Sequence, residues 1–176
     1  VVKKLSPQYQ LFLLSGDNNG EKDNLLKIFD DEAQLHFKQS PEDKLNFIKQ
    51  LQSNQTKVLM IGDGLNDAGA LSQSDVGISV TDDISNFTPA CDAILDSGQL
   101  KNIASFLKFS KTSLKIIHLN FLISFFYNLV GLSFAINGML SPLIAAVLMP
   151  VSSISVVLVA TLGTNFIAKK RGLLSQ

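Results

Sequence analysis

The sequence predicts an α/β domain with a largely parallel sheet, followed by an α-helical hairpin that crosses a membrane. Short apolar runs alternate with helical patterns through residues 1–100, which is typical of α/β domains. Residues 116–168 form a stretch of 53 residues without Asp, Glu, Lys or Arg. Charge is also divided: residues 1–96 contain 15 acidic and 8 basic side chains, and residues 97–176 contain 7 basic ones. A single soluble domain is therefore excluded.

The first strand, loop and helix are predicted near the amino end. The apolar run Leu11–Leu14 stops at Ser15-Gly16-Asp17, and residues 21–29 have helical spacing of their apolar side chains. Residues 35–37 are a candidate short strand. These patterns predict a strand-loop-helix unit that is followed by a second short strand.

The clearest helix start lies at Ser40-Pro41. Ser40 is a favourable N-cap, Pro41 suits the first helical position, and Asp43 follows three residues after the cap. We expect this helix to bury Leu45, Ile48 and Leu51.

The clearest strand is Val58–Ile61, which is followed by the loop Gly62-Asp63-Gly64-Leu65-Asn66-Asp67. A helix is predicted for residues 68–73, and further strands for residues 76–80 and 93–95. Ligands of parallel sheets bind at the carboxyl ends of the strands, where this loop lies. Its two carboxylates, Asp63 and Asp67, suit a hard cation such as Mg²⁺, with Asn66 as a further polar group.

The charge-free stretch is too long for one membrane span and long enough for two. Asn137-Gly138 and Pro142 favour a turn near its middle. The predicted order is a domain over residues 1–100, a linker helix over 101–115, spans over 116–136 and 143–168, and a tail over 169–176. Basic residues flank both ends of the hairpin, so the domain and both hairpin ends are expected on the cytoplasmic side of a bacterial-type plasma membrane.

GDGLNDAGAL at residues 62–71 resembles the hinge signature of P-type ATPases, which belong to the haloacid-dehalogenase-like phosphotransferases. Ser15-Gly16-Asp17 resembles their TGD-like loop, and Pro41-Glu42-Asp43-Lys44 matches their P-x-x-K. The resemblance implies a partial haloacid-dehalogenase-like sheet that uses ATP and Mg²⁺. It implies these catalytic residues: Ser15, Asp17, Lys44, Asp63, Asn66 and Asp67.

Within that set, the resemblance implies separate roles. Asp63 binds Mg²⁺, and Asp67 supports the phosphorylation site beside the same cation. The hydroxyl of Ser15 and the ammonium of Lys44 contact the transferred phosphoryl group. Asn66, the third cofactor-binding candidate, can add a hydrogen bond beside the cation.

Tyr127-Asn128 and Met149-Pro150-Val151-Ser152-Ser153 resemble the YN and MxxSS motifs of copper-transporting P-type ATPases. A thioether is a soft ligand that suits Cu⁺, and two spans without a carboxylate offer little to a divalent ion. The resemblance implies that the transported Cu⁺ is bound by Tyr127, Asn128, Met149, Ser152 and Ser153.

The resemblance covers about residues 5–170, but the sequence contains no DKTGT loop with the phosphorylated Asp and no Cys-Pro-Cys metal site. We therefore expect this chain, taken alone, to lack the nucleophile strand and to be inactive. Its expected partners are membrane lipid, Cu⁺ and the remaining domains of the same pump. A copper chaperone or cytochrome oxidase assembly factors are further candidates, and no nucleic acid is expected.

Three alternatives to a copper(I) efflux pump stay open at this point. The chain could be a membrane-tethered haloacid-dehalogenase-like phosphatase, which would also need a nucleophilic Asp. It could belong to a pump for another heavy metal. It could also be a non-catalytic hairpin with a regulatory head, which leaves the intact Gly62–Asp67 loop unexplained.

Overall fold

The computed structural model describes residues 1–29, 34–63, 65–82, 91–139 and 141–173. The chain forms two compact units, Val1–Ala104 and Ser105–Gln176. Gly64 of the predicted loop, Leu140 of the predicted turn and residues 174–176 of the predicted tail lie outside the described residues.

The described elements of the first unit follow one another as strands and helices. They are α1 (Val2–Leu5), β1 (Leu13–Leu14), a 3-10 turn (Asn19–Glu21), α2 (Lys22–Leu26), β2 (Leu35–His36), α3 (Pro41–Ser53), β3 (Leu59–Gly62), α4 (Ala68–Gln73), β4 (Val76–Thr81), β5 (Ala93–Asp96) and a 3-10 turn (Ser97–Asn102). The two long helices are α5 (Ile103–Ile136) and α6 (Pro142–Lys170).

Every strand pair in the described chain is parallel, as the sequence predicts. β1 pairs with β2 through Leu13 opposite Leu35, and β3, β4 and β5 form a separate sheet in that order. The predicted single sheet is thus present as two ladders. β1 and β2 are each two residues long, shorter than the predicted runs.

Helix α3 begins as predicted, with a reciprocal cap. The Ser40 hydroxyl accepts a hydrogen bond from the Asp43 backbone N–H at 3.1 Å, and the Asp43 carboxylate accepts one from the Ser40 N–H at 3.0 Å. Hydrogen bonds from the hydroxyl and then the backbone of Ser40 lower the pKa of Asp43. This cap fixes the first turn of α3, which carries Lys44.

The core of the first unit lies between α3, α4 and the second sheet. Its buried members are Ile48, Val58, Met60, Ala70 and Leu71, with Leu51 packed against them. Leu45, the third apolar residue predicted on this face of α3, is half-buried.

Gly77 permits the close contact between α4 and β4. A Cβ atom at Gly77 would lie 2.5 Å from the carbonyl oxygen of Leu71. Any side chain there would push α4 away from the sheet, and α4 directly follows the Asp63–Asp67 loop.

Helix α5 joins the predicted linker helix to the first predicted span without a break. No Gly or Pro occurs between residues 103 and 130, so nothing in the sequence ends the helix between the two. Helix α6 begins at Pro142, and the N-cap Ser141 accepts a hydrogen bond from the Ile144 N–H at 3.3 Å.

Both long helices have the length and composition to cross a membrane. Their outer faces are apolar: Phe121 is 71% exposed and Leu143 is 76% exposed. Exposure of such apolar faces to water is unfavourable, and contact with lipid is favourable. The second unit is therefore an integral membrane hairpin, as its charge-free sequence indicates.

Candidate functional site

The Ser15 loop is held in place by the last residue of β2 and by a residue that follows this strand. The Ser15 N–H donates to the carbonyl of His36 at 2.8 Å, and the Ser15 carbonyl accepts from the Gln39 N–H at 2.9 Å. The hydroxyl of Ser15 accepts from the Asp17 N–H at 3.1 Å. These bonds fix the Ser15 hydroxyl at the carboxyl end of β1.

A cavity of about 590 Å³ opens beside this loop. Its lining comprises Ser15, Asp17, Asn18, Gly20, Glu21, Leu25 and Phe37. Only Ser15 and Asp17 were predicted site residues. Asn18 accepts a hydrogen bond from the Gly20 N–H at 3.1 Å, so it shapes the turn after the loop. An Asn two residues before Gly is a turn signal that the sequence already contains.

Lys44 and Asp67 form an ion pair. The Lys44 ammonium donates to Oδ1 of Asp67 at 2.7 Å, and the two side chains are 13% and 11% exposed. The partners come from the first turn of α3 and from the residue before α4. Two of the predicted site residues are therefore in direct contact, and their pairing offsets the cost of burying either charge.

Asp63 and Asp67, predicted on one Mg²⁺ loop, differ in their surroundings. Asp67 is buried against Lys44, whereas Asp63 and Asn66 are exposed at the carboxyl end of β3. No cluster of three or more acidic, His or Cys side chains occurs in the part of the chain that the structure describes. Mg²⁺ in phosphoryl-transfer sites takes one or two carboxylates and completes its shell with phosphate and water. An exposed Asp63 beside the Lys44–Asp67 pair fits that donor set.

The predicted residues of the sheet edge fall into two groups. Ser15 and Asp17 follow β1, and Lys44, Asp63, Asn66 and Asp67 lie around the ends of α3 and β3. No hydrogen bond or ion pair between described residues joins the Ser15 loop to the Lys44–Asp67 pair. The two ladders thus place the two groups on separate strand ends.

All five predicted residues of the membrane site line one cavity of about 480 Å³ between α5 and α6. The complete lining is Tyr127, Asn128, Gly131, Leu132, Ala135, Ala145, Leu148, Met149, Ser152 and Ser153. Small residues on both helices leave this space. The cavity offers one thioether and several neutral oxygens, a donor set that suits a soft monovalent cation.

Hydrogen bonds restrain two hydroxyls beside this cavity. Ser153 donates to the carbonyl of Met149 at 3.2 Å, and the phenol oxygen of Tyr127 lies 3.2 Å from Oγ of Ser155. Ser155 was not among the predicted residues, because a Ser at this point in an apolar helix looks like any other helix-packing hydroxyl. Pro150 has no N–H to donate to the helix, so α6 also has one backbone acceptor without its usual partner here.

Comparisons with known proteins agree with both halves of this arrangement. Residues 1–75 match the haloacid dehalogenase-like hydrolase family. A copper-transporting ATPase from Helicobacter pylori is 38% identical over 172 residues, which are 94% of this chain and 23% of that protein. A probable copper-importing P-type ATPase A from Enterococcus hirae is 36% identical over 149 residues, 84% of this chain and 20% of that protein.

Solved structures show the same likeness. The catalytic domain of the CPx-ATPase CopB-B is 32% identical, with a TM-score of 0.51, covering 61% of this chain and 45% of that one. A zinc-transporting PIB-type ATPase in an E2.Pi state has a TM-score of 0.70 and covers 94% of this chain and 27% of that one. Its identity of 22% makes this a likeness of fold.

The parallel sheet and the family match over residues 1–75 define a haloacid dehalogenase-like domain. Together with the helical hairpin and the relatives above, it shows that the chain belongs to the heavy-metal P-type ATPases. The chain spans about a fifth of the length of the curated relatives that it matches.

Proposed function

We propose that this chain is part of an ATP-driven copper(I) pump in which aspartyl phosphorylation is coupled to metal transport. The observation that carries the proposal is the cavity between α5 and α6, whose lining contains the thioether residue Met149 together with Tyr127, Asn128 and Ser153. A thioether with neutral oxygens favours Cu⁺ over Zn²⁺, which proteins bind through thiolate, imidazole or carboxylate groups. The copper-transporting relatives add support.

The phosphorylation chemistry assigns a role to each group at the sheet edge. Ser15 donates its hydroxyl hydrogen to a phosphoryl oxygen, and Lys44 places its ammonium near the same group. Asp63 binds Mg²⁺, and Asn66 adds a hydrogen bond beside this cation. Asp67 fixes the Lys44 ammonium through the 2.7 Å contact between the two side chains. When bound, Mg²⁺ neutralises charge on the phosphoryl oxygens.

We propose that the nucleophilic Asp belongs to a part of the pump outside this sequence, since the sequence contains no DKTGT. One additional parallel strand between the two ladders would unite them into a single sheet and would bring the Ser15 and Lys44 groups to the same edge. We propose that the strand carrying the nucleophile has this place. On that basis the chain by itself has no ATPase activity.

The cytoplasmic side is proposed for the first unit and for both ends of the hairpin. The supporting observation is the cluster of basic residues at the start of α5 and the end of α6, with none in the connecting turn. A copper chaperone or cytochrome oxidase assembly factors remain proposed partners on the grounds of the motif resemblance alone.

The function is tested by ATP hydrolysis in the full-length protein, measured with Cu⁺ under reducing conditions and with Zn²⁺. Met149→Leu keeps the volume of the side chain and removes the sulfur, so Cu⁺ stimulation should fall about tenfold or more. Met139→Leu is the matched control, because Met139 is an exposed residue outside the cavity lining. Stimulation by Zn²⁺ equal to that by Cu⁺ would exclude the copper assignment.

Transport direction needs a separate measurement, since the relatives include an importer in Enterococcus hirae and an exporter in Staphylococcus saprophyticus by name. We propose efflux. Inside-out vesicles should then accumulate Cu⁺ when ATP is added outside. Accumulation by right-side-out vesicles loaded with ATP would indicate import instead.

A further inference from the structure

Ser155 contacts the proposed metal site from outside its lining. Its Oγ lies 3.2 Å from the phenol oxygen of Tyr127, and the two residues belong to different helices, 28 positions apart in sequence. The Tyr127 side chain lines the cavity, whereas Ser155 does not. The contact therefore connects α6 to a cavity residue of α5 without adding a ligand.

The hydrogen count of this contact fixes its direction. A serine hydroxyl has one hydrogen to donate and two lone pairs to accept with. The Ser155 hydroxyl donates to the carbonyl of Val151 at 2.7 Å, which uses its single hydrogen. Because the bond to Val151 is the shorter of the two, we assign the hydrogen of Ser155 to it; Ser155 then accepts in the 3.2 Å contact and the phenol of Tyr127 donates.

This direction determines what Tyr127 presents to the cavity. With its hydrogen committed to Ser155, the phenol oxygen has its lone pairs free, and lone pairs are what a cation requires. Were the hydrogen directed into the cavity, the same oxygen would oppose a positive charge. The orientation of one proton therefore decides whether Tyr127 attracts or repels a cation.

We infer that Ser155 is a positioning residue that holds the Tyr127 hydroxyl as a hydrogen-bond donor, so that the phenol oxygen faces the transported cation with its lone pairs. This inference deepens the proposed function and rests on it, since the cation is the proposed Cu⁺. Ser155 acts through Tyr127 and does not bind the metal.

The first test is spectroscopic and needs no metal. The intensity ratio of the tyrosine Raman doublet reports whether a phenol donates or accepts a hydrogen bond, and this chain has only two tyrosines, Tyr9 and Tyr127. In the full-length protein, every other tyrosine is replaced by Phe. The ratio should indicate a donor when Ser155 is present, and Ser155→Ala should move it away from that value. An unchanged ratio would overturn the inference.

The second test is kinetic, in the full-length pump. Ser155→Ala should raise the KM for Cu⁺-stimulated ATP hydrolysis about fivefold, the effect of losing one hydrogen bond, with kcat nearly unchanged. Ser155→Thr keeps the hydroxyl and should restore KM. Adding Ser155→Ala to Tyr127→Phe should have no further effect, because the donor is already absent.

Ser133→Ala is the matched control. Ser133 makes the same type of intrahelical bond, to the Val130 carbonyl at 2.7 Å, and lies outside the cavity lining. If Ser155→Ala lowered the melting temperature but left the KM for Cu⁺ unchanged, Ser155 would have only a packing role and the inference would be overturned. Absence of Cu⁺ stimulation in the wild-type protein would instead contradict the proposed function, and the Raman result would separate the two failures.

Discussion

The carboxylate of Asp67 occupies the space that a side chain on Gly62 would need. A Cβ atom built at Gly62 would collide with Oδ2 of Asp67 and would lie 2.9 Å from its Cβ and 3.0 Å from its Cγ. Gly62 is the last residue of β3, and Asp67 is the residue before α4. Asp67 can therefore approach the end of β3 this closely only if residue 62 is glycine, and its carboxylate then reaches Lys44.

Gly62→Ala should consequently displace Asp67 and break its contact with Lys44. We expect phosphoenzyme formation from ATP in the full-length protein to fall at least tenfold, because a small misplacement of a catalytic group has effects of this size or larger. Gly69→Ala is the control, since a Cβ there meets no atom within 4 Å. Equal phosphorylation of both variants would show that the Gly62 contact is dispensable.

Asp63 and Asp67 should respond differently to substitution, because one is exposed and the other is buried. Asp63→Ala removes the carboxylate proposed to hold Mg²⁺ and should abolish phosphoenzyme formation while leaving the melting temperature nearly unchanged. Acid-stable labelling from radioactive ATP and thermal unfolding measure the two effects. Normal labelling at saturating Mg²⁺ would contradict the role of Asp63.

The Lys44–Asp67 pair is expected to contribute both to the free energy of unfolding and to phosphoenzyme formation. Lys44→Met or Asp67→Leu leaves the other charge buried without its partner, at a cost of about 3 kcal/mol for each single variant. The double variant should recover much of this stability and should still fail to form phosphoenzyme, since no ammonium remains for the phosphoryl group. Thermal unfolding and phosphoenzyme labelling of the three variants measure both effects. Additive losses of stability would show that the two side chains do not interact.

Nucleotide affinity supplies an independent check on Lys44. The proposed role of Lys44 places its ammonium on the phosphoryl group and not on the base. Lys44→Met should therefore leave ATP binding to the full-length protein nearly intact. A loss of ATP affinity that matched the loss of phosphorylation would assign Lys44 to nucleotide binding instead.

Much of this arrangement could be predicted from the sequence because its signals are local. The capping box of Ser40 and Asp43 uses contacts within four residues, and α3 begins where this cap indicates. Helix α4 covers the predicted residues 68–73. The charge-free hairpin is likewise a property of composition. Such signals need no knowledge of the tertiary structure.

Contacts between distant residues could not be predicted in the same way. The sequence predicted Asp67 beside Mg²⁺, but not its ion pair with Lys44, 23 residues earlier. It predicted Tyr127 as a site residue, but not its bond to Ser155. Two ladders in place of one sheet also depend on strand pairing, which short apolar runs do not specify.

Asp75 ties the start of β3 to the chain that precedes β4. Its carboxylate accepts hydrogen bonds from the Lys57 ammonium at 2.7 Å, from the Val58 N–H at 3.0 Å and from the Gln52 side-chain amide at 3.1 Å. These bonds, that of Lys57 first, hold the pKa of Asp75 well below its ordinary value of 3.8. The charged carboxylate therefore stabilises the folded sheet.

The sign of the pH dependence follows from that lowered pKa. Because folding favours the ionised form, the stabilisation is complete above the ordinary carboxyl pKa of 3.8 and is lost as the pH falls from there toward the lower folded value. Asp75→Asn removes this contribution. Carboxyl groups are ionised in the range of roughly pH 5 to 7. Across that range the melting temperature of the variant should lie below that of the wild type by a constant amount. The difference should then shrink as the solution becomes more acidic.

Circular dichroism of the purified chain in detergent measures this difference, with Lys57→Met as the comparison. Lys57 is 88% exposed at its side chain, so its pairing with Asp75 is weakened by water and salt. Lys57→Met should cost less stability than Asp75→Asn, which also leaves the Val58 N–H with a weaker acceptor. If the two variants melted alike at every pH, the lysine alone would account for the effect and the bond from Asp75 to the backbone of β3 would be unimportant.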